Sequence, residues 1–508
     1  MDYEERTAKQ EFAALDGERQ TMIDRFERIA QLTIPSVLPD EDYDAETDQL
    51  TNGFTSLGSQ CVTHLTNKLM NAMFAPSRPF FRLALDNAKI KELSDRLGVS
   101  EGEITDSLAA GERSAMAELE KEGCRESLYE GVTHLVTVGN VLMDMSGDSL
   151  VFTGIRDYVV RRNAKGMITC LVIREVVRYD DLEEDVQKRY SEVQGYCKYD
   201  KNICTYKQIK LCKGMYRESF WCEDVNMGED YAGKYRLENL PYRALSWRLP
   251  LRQNYGVGRC EEYANDLAQH DSLCEATSDG AILASQFKWL SNPGGITRPE
   301  DMTRSRNGDV IPGVKGDLEL VFANIGQQLQ TVLGIANEYK QRLGAGFLLS
   351  SAVTRQAERV TAEEIKMQIM ELESSLGGVY SRLALSIQGP LANWLLKRAK
   401  VNIKGTAIKP VVITGLDALS RNGDLERLRA FLGDAAALDN IQPATRVILN
   451  SDNIVSDMAA GNGVDKGRYI LSPAQQQANQ AGAQQQALQQ QAAVNTVDAA
   501  TIPQESPQ

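Results

Sequence analysis

The chain has no unbroken apolar run long enough to cross a bilayer, which excludes a membrane-spanning helix. Its opening residues, Met1 to Phe12, are charged where a secretory signal would be apolar, so assembly in a cytoplasm without a membrane partner is the expectation. Histidine is scarce. His64, His134 and His270 are the three present, none in HExxH spacing, and each falls in a helical pattern that favours a structural role. The nine cysteines include no CxxC pair and no histidine at metal-ligand spacing, so buried reduced thiols are expected. Cys197, Cys204, Cys212 and Cys222 are the densest group, and their alternation with Tyr, Lys and Ile reads as strands rather than as a zinc ribbon. No metal site and no cofactor are expected.

Catalytic patterns are missing too. There is no GxxxxGK[ST], which excludes a P-loop motor, and Gly256-Val-Gly258 lacks the third glycine of a dinucleotide turn. Energy for any transport must therefore come from a partner. Glu261-Glu262 and Glu363-Glu364 are adjacent in sequence, and adjacent residues on a helix do not face one another, so solvated or capping roles are favoured over acid-base work. The chain reads as no enzyme. A magnesium nuclease built from scattered carboxylates is the enzymatic alternative, which incubation with plasmid and magnesium would test.

The formal net charge of −14 argues against a protein that clasps a nucleic acid tightly, because phosphate binding normally demands a basic surface. It leaves room for a conduit, where every phosphate contact made must be broken during movement. At 508 residues, 42% hydrophobic and 25% charged, the chain has the profile of a folded protein with two or more domains or a multi-layered subunit.

Periodicity divides that length. Phe54, Leu57, Cys61, Leu65, Leu69 and Met73 recur at helical spacing, as do Leu128, Val132, Leu135, Val136 and Gly139. Pro35 and Pro39 force an extended or turning path before the first of these helices. From about Val141 the period becomes two, through Tyr158-Val-Val160, Met167 to Ile173 and Ser219 to Cys222. Asn163 to Gly166 is a hairpin turn between two such runs.

After Tyr255-Gly-Val-Gly258 a helix of about 28 residues is expected, roughly 40 Å of rod. Its heptad-like positions, Tyr263, Leu267, His270, Cys274, Thr277, Ala281 and Ala284, are mostly small or polar and too weakly apolar for an ordinary core helix, which suits partly wet packing against neighbouring subunits. A loop-rich insert over 287–322 is punctuated by Asn292-Pro-Gly-Gly295, Asn307-Gly308 and Ile311-Pro-Gly313. Helix resumes with Leu329, Val332, Leu333, Ala336, Tyr339, Leu343 and Phe347 on one face. The pattern is rod, knob, rod, as in a lining element whose copies stand side by side.

A polar link, 348–360, ends at a capping box of Thr361 and Glu364. The helix it starts is faced by Ile365, Ile369, Leu372 and Leu376, with Gly377-Gly378 and Pro390 as places to kink, and continues through Leu391, Trp394 and Leu395. Short helices are expected over 417–449. From Ser472 the chain turns to Gln and Ala runs, read as a mobile or assembly-dependent tail.

Arg359-Val-Thr-Ala-Glu-Glu-Ile365, with Glu371-Leu-Glu373 and Leu376-Gly-Gly-Val-Tyr-Ser381, closely resembles the head-to-tail connector (portal) proteins of short-tailed phages. Further segments are similar in the same order: Thr33-Ile-Pro-Ser36, Lys68-Leu-Met70, Gly139-Asn-Val-Leu142, Tyr255-Gly256 with Glu261-Glu-Tyr263, Asn292-Pro-Gly-Gly-Ile-Thr297 and Thr414-Gly-Leu416. The Gln-rich tail shows no such likeness.

The resemblance implies a mainly α fold with a smaller antiparallel β region (α+β), assembled as a ring of twelve subunits around a channel. It implies a wing over 1–255, stem helices over 256–286 and 323–347, and a clip over 287–322. A tunnel loop over 348–360, a wing return helix over 361–412, a crown over 413–471 and the tail over 472–508 complete it. The implied partners are double-stranded DNA in the channel, the terminase large subunit, major capsid and scaffolding proteins, tail adaptor and nozzle proteins, and internal core proteins. The implied location is one capsid vertex of the virion, at the head-tail junction. There such a ring nucleates procapsid assembly, conducts DNA during packaging and ejection, and hydrolyses nothing.

Arg355 and Arg359 are the candidates for touching DNA phosphates, as cations in a polar segment next to the stem. The competing role is an ion pair to Glu358 or Glu363. Arg298, Arg304, Arg306 and Lys315 make the 287–322 segment locally basic, as a surface for DNA or an acidic partner or as an ordinary solvated loop. The alternative function is a non-conducting tail or internal virion protein that forms a hub.

Overall fold

The computed structural model describes residues 6–41, 43–44, 46–75, 79–84, 96, 101–121, 123–195, 201–322, 325–349, 370–401, 409–412 and 433. The chain divides into two compact units, Met1–Gly415 and Leu416–Gln508, and of the second only Gly433 is described. The short helices expected over 417–449, almost all of the 413–471 crown and the 472–508 tail therefore lie outside the described residues. So do Arg355, Arg359, the Thr361–Glu364 capping box and Cys197.

The first unit opens with α1 (Ala8–Gly17) and α2 (Gln20–Leu32). Thr7 and Gln10 form a reciprocal capping box that fixes the start of α1. Between the two helices Arg19 is buried. Its guanidinium donates to the carbonyls of Ile155, Arg156 and Tyr158 and to Asp16, stitching the N-terminus to the middle of the chain. Helix α3 (Leu57–Met73) is the core rod, with Cys61, Val62, Leu65 and Leu69 fully enclosed. Burial pushes the Cys61 thiol up to about 12, as suits an inert packing group. Phe54, the first member of the predicted stripe, lies outside the helix and is exposed. The reason is a distant partner: the Asp271 carboxylate accepts the backbone N–H groups of Phe54 and Thr55.

Strand β1 (Phe81–Ala84) precedes α4 (Glu101–Lys121) and α5 (Cys124–Thr137). Gly139, predicted to extend the α5 stripe, sits beyond its end in the left-handed region at φ 77°. Its N–H donates to the His134 carbonyl, so it terminates the helix rather than facing the core.

The β region is antiparallel as predicted and larger than expected. Strands β2 (Asn140–Asp144) and β3 (Val151–Thr153) belong to a three-stranded sheet. Strands β4 (Tyr158–Arg162) and β5 (Ile168–Arg178) flank the Asn163–Gly166 turn, where Asn163 Oδ1 accepts the N–H groups of Lys165 and Met167 and Gly166 takes φ 81°. After α6 (Glu184–Gln194) come β6 (Asn202–Cys212), β7 (Met215–Cys222), β8 (Val225–Asn226) and β9 (Lys234–Arg236). Together β4 to β9 make a six-stranded sheet, β4-β5-β6-β7-β8, with β9 pairing β7. Cys204 and Cys212 lie on β6 and Cys222 on β7, in keeping with the strand reading of that group. Helix α1 packs Phe12 and Leu15 on this sheet against Val159, Cys170, Val172 and Tyr206. Strand β10 (Tyr242–Ser246) returns to pair with β2.

Farther on, residues 370–376 are helical, and Gly377 and Gly378 both take left-handed backbone, so the expected kink is a full break. Toward its C-terminal end α3 is closed by the last helix of the unit (Val379–Arg398): Tyr380 Oη and Gln388 Nε2 donate to the carbonyls of Ala72 and Met73. The final strand, Lys409–Val412, pairs with β1 in the register Phe81 to Val412, joining chain segments far apart in sequence.

Candidate assembly and channel surfaces

The chain leaves β10 through Tyr255-Gly-Val-Gly258, a junction built from close backbone approaches. Asn140 is buried; its Nδ2 donates to Gly256 O at 2.8 Å and its Oδ1 accepts the Gly256 N–H at 2.7 Å. Gly139 backs onto Gly258, where a Cβ on Gly139 would stand 2.6 Å from Gly258 Cα. The Tyr255 hydroxyl accepts from Val160 N at 3.1 Å and from Arg19 Nη1 at 3.4 Å. Two segments far apart in sequence, Gly139-Asn-Val-Leu142 and Tyr255-Gly256, thus form one joint in space.

From that joint rise α7 (Arg259–Glu262) and, after a break at Tyr263, α8 (Ala264–Ser285). Then follow β11 (Phe287–Ser291), α9 (Pro299–Arg304), β12 (Leu318–Phe322) and α10 (Gly326–Gly346), which numbers the helix at 379–398 α11 and the strand at 409–412 β13. At 1.5 Å per residue α8 and α10 are each roughly 32 Å long. The single rod predicted from Arg259 is interrupted because the Tyr263 ring is held between Phe347, 5.4 Å away, and the Arg259 guanidinium, 4.8 Å away. The segment read as loop-rich carries a two-stranded sheet at its root, with Phe287 opposite Phe322 and Ser291 opposite Leu318.

At the base of this helical hairpin the polar groups are paired. Arg259 donates to Gly346 O at 2.8 Å and pairs with Glu262 at 2.9 Å, while Arg248 reaches Glu262 at 3.1 Å. Glu261 turns to Arg25 at 2.9 Å. Burial raises the Glu261 pKa, and the Arg25 guanidinium opposes that rise. The two adjacent carboxylates face apart, as expected, but serve as ion-pair partners rather than in the solvated or capping roles expected for them. Asp271 of α8 holds Thr55 N at 2.7 Å.

Past Asp271 the burial ends. In α8 only Leu267 and His270 are buried, both near the base, and in α10 only Leu343, Gly344 and Gly346 at the base and Ala336 at its middle. The two rods do touch farther out, where a Cβ on Gly280 would stand 2.6 Å from Leu329 Cδ2. Yet Ile282 and Leu283 on α8 and Leu333 and Ile335 on α10 are exposed, Leu283 at 54%. Trp289 and Leu290 on β11 are exposed as well. These side chains form an apolar strip along the two rods that the described residues of the chain leave exposed.

The knob between the strands is organised by Asp317. Its carboxylate accepts the Thr297 N–H and hydroxyl, each at 2.9 Å, and these bonds hold its pKa below the ordinary carboxylate value. Thr297 Oγ1 in turn accepts Val314 N. This lock brings the segments of Arg298 and Lys315 together, while Arg304 ends α9 and Arg306 follows it. All four are exposed, and none has an ion-pair partner among the described residues. The 287–322 segment carries five Lys or Arg and five Asp or Glu, so it is neutral within an acidic chain rather than locally basic as expected. Asp309 and Asp317 accept backbone N–H groups, while Glu300, Asp301 and Glu319 are exposed like the four cations. Sequence reasoning found these cations but missed the joint at Asn140 and Gly256 and the pinning of Phe54 by Asp271.

A family model described as bacteriophage head to tail connecting protein matches residues 5–470. The chain is 31% identical over 491 residues to the portal protein of Enterobacteria phage T3, covering 93% of this chain and 89% of that one. It is also 31% identical over 417 residues to the portal protein of Enterobacteria phage SP6, covering 81% and 80% respectively. Among solved structures, a chain in the neck of an empty gene transfer agent particle aligns at 12% identity and a TM-score of 0.39, over 81% of this chain and 91% of that one.

Proposed function

The chain belongs to the family of bacteriophage head-to-tail connecting proteins, and from that premise we propose how its parts divide the work of a portal. Its function is that of a phage portal: a ring-forming structural component of the virion at the head-tail junction, with no enzymatic role. In our reading the ring is a dodecamer, assembled in the host cytoplasm with scaffolding and major capsid proteins. Residues 1–255 and 361–412 form its wing, 256–286 and 323–347 its stem, 287–322 its clip, 413–471 its crown and 472–508 its tail. DNA enters through it during packaging by the terminase large subunit and leaves through it at ejection. Adaptor and nozzle proteins dock at the clip end, and internal core proteins at the opposite end.

The observation that carries this reading is the bare outer half of the α8–α10 hairpin. Its exposed Ile282, Leu283, Leu333 and Ile335 suit rods that stand side by side with the same rods of neighbouring copies. A chain at −14 suits a lumen past which DNA slides. Negative-stain images of the purified protein should show rings with a central hole, and solid particles or monomers at assembly concentration would refute the ring and favour a non-conducting hub.

Two finer assignments follow. Arg355 and Arg359, in the 348–360 tunnel loop, touch the phosphates of passing DNA. Arg355→Ala should lower packaged DNA or its retention while rings still form, and unaltered packaging removes that residue. Arg298, Arg304, Arg306 and Lys315 present an anion-seeking surface at the clip. Reversing Arg304 and Arg306 to Glu should weaken terminase binding, more at low salt than at high, and unchanged affinity at both salts counts against it.

A further inference from the structure

Helix α3 buries mostly apolar side chains, yet one of its enclosed positions carries an ammonium. Lys68 is 5% exposed and stands beside Leu69, where a charge persists only with fixed partners. Its Nζ donates to the Leu348 carbonyl at 3.1 Å and to Glu371 Oε2 at 3.1 Å. One turn earlier on α3, His64 Nε2 lies 3.1 Å from the same Leu348 carbonyl. Burial, the nearby Lys68 charge adding to it, lowers the His64 pKa, so the ring is neutral near pH 7, and the tautomer that donates from Nε2 fits a carbonyl partner. Leu348 takes φ 61°, a left-handed backbone that a leucine keeps only where surrounding contacts hold it.

Leu348 and Glu371 stand on either side of the 350–369 stretch. We propose that Lys68, seconded by His64, is a positioning residue that ties both ends of that stretch to the rigid α3. Two acceptors distant in sequence, the Leu348 carbonyl and the Glu371 carboxylate, meet on one nitrogen. The anchoring stands on the α3 geometry alone. Its consequence for DNA contact by Arg355 and Arg359 rests on the tunnel-loop reading above.

Trypsin gives a direct test, because Arg355, Arg359 and Lys366 lie between the two anchored residues while Arg304 and Arg306 provide an exposed internal reference. In the assembled full-length protein, Lys68→Met should raise cleavage over 355–366 relative to 304–306 by about tenfold, equivalent to about 1.4 kcal/mol. Glu371→Gln alters a partly exposed side chain, leaves the Leu348 bond in place and should raise the ratio by about threefold. An unchanged ratio in both variants overturns the proposal, as does a rise at 304–306 equal to that at 355–366, which would mean general loosening. Faster cleavage at 355–366 with unaltered DNA retention upholds the anchor and instead removes the tunnel-loop reading.

Discussion

The two halves of the α8–α10 hairpin are built by different rules. At its base every element is tied to the rest of the first unit: Glu261 to Arg25, Glu262 to Arg248 and Arg259, Asp271 to Thr55, and Gly256 to Asn140. Toward the knob the same two helices carry apolar side chains that their own chain leaves in water. The base is therefore closed within a single subunit, and the outer half is left for the neighbouring copies of the proposed ring to cover. Paired ions and backbone locks fix direction at the base, where a small angular error would displace the far end of a roughly 32 Å rod by several ångströms. Apolar faces farther out tolerate sliding and repacking, which suits contacts made late, between copies.

The sharpest way to break this contrast is at the joint. Gly139→Ala puts a methyl within 2.6 Å of Gly258 Cα on a residue already at φ 77°, and the neighbouring atoms are backbone that has no room to yield. A loss of about 3 kcal/mol or more in subunit stability is expected from denaturant midpoints. A loss below about 1 kcal/mol would show that the joint relaxes and that the base is not rigid. Next in size is pH. His134, whose carbonyl receives the Gly139 N–H, has an enclosed Nδ1 without a hydrogen-bond partner among the described residues, and burial lowers its pKa from 6.5 to about 4. Below about 6.5 the unfolded chain takes up a proton that the folded ring refuses, so stability should fall as pH drops from about 6.5 toward about 4. Allowing for partial exposure of the ring, about 2 kcal/mol should be lost across that window. His134→Leu should flatten the slope there, and an unchanged slope assigns the titration elsewhere.

What could be read in advance follows the same division. The α3 stripe, the Asn163–Gly166 turn and the strand character around Cys204 and Cys222 are local patterns, and local spacing disclosed them. Phe54 was misread because its backbone partner, Asp271, lies 217 residues away. The β11–β12 pair was hidden by the glycines and prolines between its strands, although Phe287, Trp289 and Ser291 alternate as a strand should. Lys68 was visible only as part of a family likeness. Its contacts span 280 and 303 residues, and the one local signal is a lysine set among Leu65, Leu69 and Met70 on an otherwise apolar helix face. The bare face of the rods was not legible: the positions read as weakly apolar, Tyr263 to Ala284, include the buried Leu267 and His270, whereas the exposed Ile282, Leu283 and Ile335 lie off that stripe.

The smallest expected effect on the fold is the most informative about assembly. Leu283→Glu and Leu333→Glu change side chains that are exposed in the single chain, one on each rod, so each should alter subunit stability by no more than about 0.5 kcal/mol. In the ring the same carboxylates would have to be taken out of water against a neighbour's apolar surface, at a cost of several kcal/mol for each interface. Every subunit carries the change and every interface repeats it, so closure should fail while the monomer folds normally. Analytical sedimentation beside a thermal melt separates the two quantities. Intact rings at the usual concentration would mean that these faces line water rather than a neighbour. A melt lowered by about 2 kcal/mol would mean that the outer half belongs to the subunit's own core, because only a side chain that is already packed can report on folding in a protein that has not yet met its copies.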